Sequence, residues 1–225
     1  TGCMGKRAFY ARHRRRRLRI SVKRCLAAIN CFFKKSADTL SDLRLCRKAL
    51  IKEEQMKHEV LSLKGMTYSA MFGAITAVGA YIVIPLPLVP ITMQPFFVSL
   101  APALLGGMLG ALSQVIYILI GVIGLPVFAG GKAGFGVLIG PTGGYLIGFI
   151  VGAYIIGKLI ELKKQPGFIW MVSAMIIGHV ALYALGVVQL MFVAKLSLSK
   201  AFTVGVIPTL PGGIIKILLA AFIAV

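Results

Sequence analysis

The chain has 225 residues, 58% of them hydrophobic and only 14% charged, with a formal net charge of +19. A soluble domain of this size carries about 25% charged residues, and a mean hydropathy of +0.91 indicates instead an integral membrane protein. The positive charge is local: residues 1–55 hold 16 Lys and Arg against 4 Asp and Glu, and residues 56–225 hold 9 against 2.

The basic head, 1–55, comes first. Its stretch "RHRRRRLRISVKR" has a composition that suits RNA and anionic lipid alike. Its apolar runs are too short to match the plan of a secretory leader. Cys3, Cys25, Cys31 and Cys46 all lie here, at spacings that fit neither a CxxC pair nor a zinc site, so free thiols are expected. The head is expected to be a disordered or artefactual extension. Met56 opens a short amphipathic lead into the membrane domain, 56–225.

A helix needs about 20 apolar residues to cross a bilayer. Six segments are read as spans in chain order, the third and last of them short: 67–84, 93–110, 111–125, 141–160, 167–192 and 211–225. The second and third are nearly continuous, and "LLGGMLGAL" supplies a tight glycine turn between them. The fold expected is an all-α integral membrane bundle of six transmembrane helices, the last cut short at Val225. Lys158, Lys163 and Lys164 share one loop, and together with the basic head they place the N-terminus in the cytoplasm. The opposite loops, with Lys132, Lys195 and Lys200, then face outside. The protein is expected in the cell membrane, multi-pass, in contact with membrane lipid.

The first span contains "SAMFGAITAVGAY", with Ala70, Gly73, Ala74, Ala77 and Ala80 at spacings of three and four. Small residues on one helix face let another helix approach closely. That partner is either internal or a different subunit.

Between the third and fourth spans lies "GLPVFAGGKAGFGVLIGPTGG". Glycine lets a ligand approach the backbone and leaves N–H and C=O groups available. Pro126, Phe128, Phe135, Pro141 and Tyr145 make the stretch too apolar for a flexible linker. It reads as a loop returning into the mouth of the bundle, where irregular backbone is tolerated because it lines a cavity.

Two ionisable groups stand out within later spans. His179, in "IIGHVALY", reads as a neutral histidine bonded to a neighbouring helix. Lys216 follows Pro211 by five residues at the start of the last span; it either snorkels to the surface or faces a cavity and a ligand. No carboxylate lies within a span, which argues against a proton relay. The chain has no GxxxxGK[ST], GxSxG or HExxH. Neither a phosphate-binding loop, nor a nucleophile with its base, nor a metal site is legible.

Four stretches, "IPLPLVPITMQ", "LLGGMLGALSQVIYILIGVIGLPVFAGG", "GPTGGYLIGF" and "GVIPTLPGGIIK", occur in order across 66–225. Together they resemble the BioY family, the biotin-specific substrate-binding subunits of energy-coupling factor (ECF) transporters. The resemblance implies a six-helix subunit that captures biotin from outside. It also implies a transmembrane coupling subunit and two cytoplasmic ATPases as partners, which accords with the missing phosphate loop. Ligand contacts would fall to Gln94, Gly130, Gly131, Lys132, Thr142, Gly143, Tyr145 and Lys216. Docking on the coupling subunit would fall to Ala70, Ala74 and Ala77.

The chain departs from the family pattern at Gly213, where an acid usually precedes the last-helix lysine, and at Leu146, where some relatives carry a basic residue. The expected function is therefore a biotin-binding transport subunit, not an enzyme, with no cofactor, no metal and no nucleic-acid partner. Two alternatives stand beside it. One is a subunit for another small vitamin-like carboxylic acid; the other is a membrane-embedded enzyme using His179 or Lys216.

Overall fold

The computed structural model describes residues 62–86 and 88–225. The basic head and its cysteines lie outside the described residues. Helix α1 spans Leu63–Tyr81, and its first turn is closed by Ser62, whose hydroxyl accepts from the Gly65 N–H at 3.4 Å. A two-residue antiparallel ribbon follows, β1 at Val83–Ile84 paired with β2 at Ile91–Thr92. The first helix thus ends at Tyr81, short of the expected 84, with the ribbon beginning at Val83. Helix α2 spans Gln94–Leu105 and α3 Gly107–Val122.

The two helices break at Gly106, with φ 83° and ψ 174°. This is the expected glycine turn, placed earlier than the expected boundary at 110. A side chain at 106 would be strained by the positive φ, and its Cβ would lie 2.8 Å from Glu161 Oε1. That carboxylate instead accepts from the Gly107 N–H at 2.7 Å and pairs with Lys158 at 2.8 Å. An acid at the start of α3 satisfies an N–H that has no intrahelical partner and complements the helix dipole.

The glycine-rich stretch contains a four-residue helix, α4 at Gly136–Ile139. Helix α5 spans Gly143–Glu161 and α6 spans Phe168–Ala194. Lys195 ends α6 in the left-handed conformation, φ 51°. Helix α7 at Leu198–Gly205 and a single 3-10 turn at Ile207–Thr209 lead into α8 at Leu210–Ala224.

The burial pattern is inverted relative to a soluble bundle. Ser69, Thr76, Ser99, Ser113 and Gln114 are fully buried, while Ile169, Phe192 and Phe222 are 81, 79 and 76% exposed. Polar side chains turn inward and large apolar ones outward, as a hydrocarbon solvent requires. Among the described residues three runs are long and apolar enough to cross a membrane: Gly143–Glu161, Phe168–Ala194 and Leu198–Ala224. The last of these joins α7, the 3-10 turn and α8. Helices α2 and α3 are apolar but shorter, at 12 and 16 residues.

Glycines set the helix spacing. A Cβ on Gly152 would lie 2.9 Å from the Gly178 carbonyl, and one on Gly148 would lie 2.8 Å from the Leu182 carbonyl. Helices α5 and α6 therefore pack backbone to backbone, the most extensive helix contact in the bundle. Two apolar clusters result. One, around Phe72, Ile156, Met171 and Met175, fills one end of the bundle. The other, around Tyr117, Phe128, Tyr145, Phe149 and Leu182, lies at the other end and walls a cavity.

Candidate functional site

The cavity spans about 760 Å³, including its open mouth. Ile91, Thr92 and Gln94 form one wall, and Phe128, Lys132, Val137 and Thr142 of the glycine-rich stretch form a second. Tyr145, Leu146 and Phe149 from α5 and Leu182 and Tyr183 from α6 make the aromatic and aliphatic floor. Thr209, Gly213 and Lys216 close the far side.

The glycine-rich stretch reaches the cavity by a specific path. The chain leaves α3 through Gly124 at φ 114° and makes a tight turn, in which Phe128 N–H donates to Lys132 O at 3.0 Å. Gly130 and Gly131 occupy that turn at φ 72° and 73°, a region open to glycine and costly for other residues. Phe128 drops from the turn to 1% exposure and meets Tyr117 edge to face at 5.7 Å. The ring lies against Gly121, where no Cβ fits.

A hydrogen-bond chain stiffens the opposite wall. Thr92 Oγ1 donates to Gln94 Oε1 at 3.0 Å, Gln94 Nε2 donates to the Tyr117 hydroxyl, and Tyr117 donates to Val127 O at 3.0 Å. The ribbon, α2, α3 and the glycine-rich stretch are thereby tied together. Tyr145 donates to Gly205 O at 3.2 Å and holds the end of α7.

Lys216 is the charge in this setting. It is 9% exposed, and Nζ donates to Thr92 O at 2.5 Å. It turns inward and does not snorkel. Among the described residues Glu161 is the single carboxylate, and it caps α3. It lies 16 residues along α5 from Tyr145, about 24 Å at 1.5 Å per residue. No acid beside Lys216 competes with an anionic ligand, and Gly213 leaves the space next to Tyr183 open, a Cβ there standing 3.2 Å from the phenol oxygen.

Of the residues singled out beforehand, Gln94, Lys132, Thr142, Tyr145 and Lys216 meet at this cavity. Lys132 is exposed at its rim. Gly130 and Gly131 shape the turn without lining the cavity, and Gly143 packs against Leu138 O and the Gln189 amide. Ala70 and Ala74 face outward from α1, whereas Ala77 packs on the inner cluster. Gly73 and Ala80 are buried, so the small-residue stripe is divided between two faces. His179 is buried, but its Nδ1 lies 3.0 Å from Met175 O of its own helix, not of a neighbour. Thr92, Tyr117 and Tyr183 escaped the sequence reading because Lys216, Gln94 and Tyr145, which they meet at the site, are distant along the chain.

A cavity with aromatic walls, a few fixed polar groups and one buried ammonium suits a compact, largely apolar carboxylic acid. Comparisons with known proteins bear on this chemistry. The model of the BioY family matches residues 53–225. A protein of Thermotoga maritima named "Biotin transporter BioY" is 44% identical over 162 residues, covering 72% of this chain and 94% of its own. One of the same name from Rhizobium etli is 40% identical over 173 residues, covering 72% and 92%. Among solved structures, "the S-component for biotin from an ECF-type ABC transporter" superposes with a TM-score of 0.66 at 27% identity, covering 72% of this chain and 89% of that one. Motif order, bundle and cavity thus agree with the match across the membrane domain: the chain belongs to the BioY family.

Proposed function

We propose that the protein is the biotin-binding membrane subunit of an ECF-type uptake transporter, and that the cavity is its biotin site. The observation that carries this reading is the buried Lys216 ammonium in an aromatic cavity, with no carboxylate beside it among the described residues. Biotin is a compact apolar bicycle with a polar ureido edge and a carboxylate tail. Tyr145, Phe149 and Tyr183 offer rings to the bicycle, Thr142 and Gln94 offer hydrogen-bonding groups, and Lys216 offers a charge to the tail. Gly130, Gly131 and Gly143 contribute by shaping backbone rather than by touching the ligand. The family is one of transport subunits rather than enzymes.

The protein works with partners in this reading: a transmembrane coupling subunit and two cytoplasmic ATPases. Ala70 and Ala74 form the outward small-residue face on which the coupling subunit docks. Lys158, Lys163 and Lys164 lie at the bundle end away from the cavity, so a cytoplasmic N-terminus leaves the cavity open to the outside. Residues 1–55 take no part in capture. Equilibrium binding of radiolabelled biotin to the purified protein tests the function, with other vitamin carboxylates as competitors. Failure of biotin to bind at micromolar concentration, or stronger competition by another acid, would reject it.

A further inference from the structure

Gln189 stands one polar side chain deep in α6, half-buried and outside the cavity lining. Its amide donates both hydrogens to the glycine-rich stretch: Nε2 lies 2.6 Å from Leu138 O and 2.9 Å from Gly140 O. These carbonyls sit at the end of α4, a helix of four residues. So short a helix satisfies few of its own carbonyls. In a bundle surrounded by lipid an unsatisfied carbonyl is costly. Gly140 O also accepts from the Gly143 N–H at 3.1 Å, so Gln189 adds a second bond there and supplies to Leu138 O what water supplies at the end of an exposed helix.

The reach is possible because α5 begins with two glycines. A Cβ on Gly143 would stand 2.6 Å from Gln189 Nε2, and one on Gly144 would stand 2.7 Å from Gln189 Cβ. A side chain at 143 would meet the Leu138 carbonyl as well as the amide, and one at 144 would meet the Leu185 carbonyl as well as the Gln189 stem. The glycine pair of "GPTGGY" thus clears both the α6 backbone and the strap. Val137 and Thr142, on either side of the strapped carbonyls, line the cavity.

We infer that Gln189 is a positioning residue for ligand retention: its amide straps residues 138–140 to α6 and so holds the Val137–Thr142 wall closed against the ligand. The inference rests on the reading of this cavity as the biotin site. With the strap removed the wall opens more often, so bound ligand escapes faster while entry is hardly affected.

Gln189→Met keeps the length of the side chain and removes both donors. The expected result is radiolabelled biotin dissociating about 10- to 30-fold faster, the loss of one to two neutral hydrogen bonds, with association within about twofold of wild type. Hydrogen exchange of the ligand-free protein should quicken at residues 137–143 and stay unchanged in the middle of α5 and α6. Gly143→Ala, whose methyl would meet both the Leu138 carbonyl and the Gln189 amide, should also quicken exchange and dissociation. If Gln189→Met fails to fold, Gln189→Glu carries the test, being of equal size with at most one donor. Unchanged exchange at 137–143 would overturn the strap. Quickened exchange with unchanged dissociation would overturn its role in retention. If wild type itself binds no biotin, the proposed function fails, and the exchange measurement still decides the strap.

Discussion

Replacing Lys216 by alanine removes the buried positive charge of the cavity. In the structure its Nζ is 2.5 Å from Thr92 O, the side chain is 9% exposed, and Glu161 lies at the far end of α5. A ligand carboxylate in this cavity would find no other buried cation among the described residues that line it, since Lys132 is exposed at the rim. A charge-assisted hydrogen bond contributes about 1.5–3 kcal/mol, so Lys216→Ala should weaken biotin binding by about 10- to 150-fold. The variant also leaves Thr92 O without its donor. That loss acts on the empty protein and should appear as a lower melting temperature, separate from affinity. Lys216→Met retains the aliphatic stem and isolates the charge. The assay is a titration of wild type and both variants with radiolabelled biotin, and then with biotin amide, which lacks the carboxylate charge. Both variants should lose far more affinity for biotin than for the amide. Equal losses for the two ligands would place Lys216 at the ureido edge. Unchanged biotin affinity would refute the assignment of Lys216 to the ligand altogether.

Four further outcomes follow from the packing. Ala74→Trp places a large ring on the outward face of α1 and should abolish co-purification with the coupling subunit while biotin affinity stays within about twofold; unaffected co-purification would put the interface elsewhere. Gly121→Ala drives a methyl into the Phe128 ring and should lower stability by about 1–3 kcal/mol, read as a fall in melting temperature with faster ligand loss. Glu161→Ala frees the Gly107 N–H and removes a cap, costing about 1 kcal/mol, which thermal unfolding in detergent measures; since the site is about 24 Å away, biotin affinity should not change. A chain starting at Met56 should insert and bind biotin as well as the full chain does, and a large loss of binding would give the basic head a role in capture.

Much of the architecture was legible because hydrophobic length and glycine placement act locally. A run such as "FIWMVSAMIIGHVALYALGVVQLMFVA" has no better conformation in lipid than a helix, whatever its neighbours do. The break at Gly106 was legible for a similar reason, since a positive φ is open to glycine at little cost. Lys216 stood out because a cation beside apolar residues demands an explanation anywhere in a membrane.

What the sequence could not convey is which groups meet. Lys216 and Thr92 are 124 residues apart, Gln189 and Leu138 are 51, and Gln94 and Tyr117 are 23. No local pattern marks such pairs, because a hydrogen bond depends on where helices cross. The same limit explains Gly143, which reads as a ligand contact and serves as clearance for Leu138 O and Gln189, and Ala77, which shares a spacing with Ala70 and Ala74 yet turns inward. By itself the sequence determined the long apolar helices, though not the short helices α4 and α7, together with the glycine turn, the family and the charge that awaits an anion, since these depend on local conformation and on solvation. Only the tertiary structure decided which face of each helix is internal and which polar groups are already taken, because those depend on how closely two backbones approach.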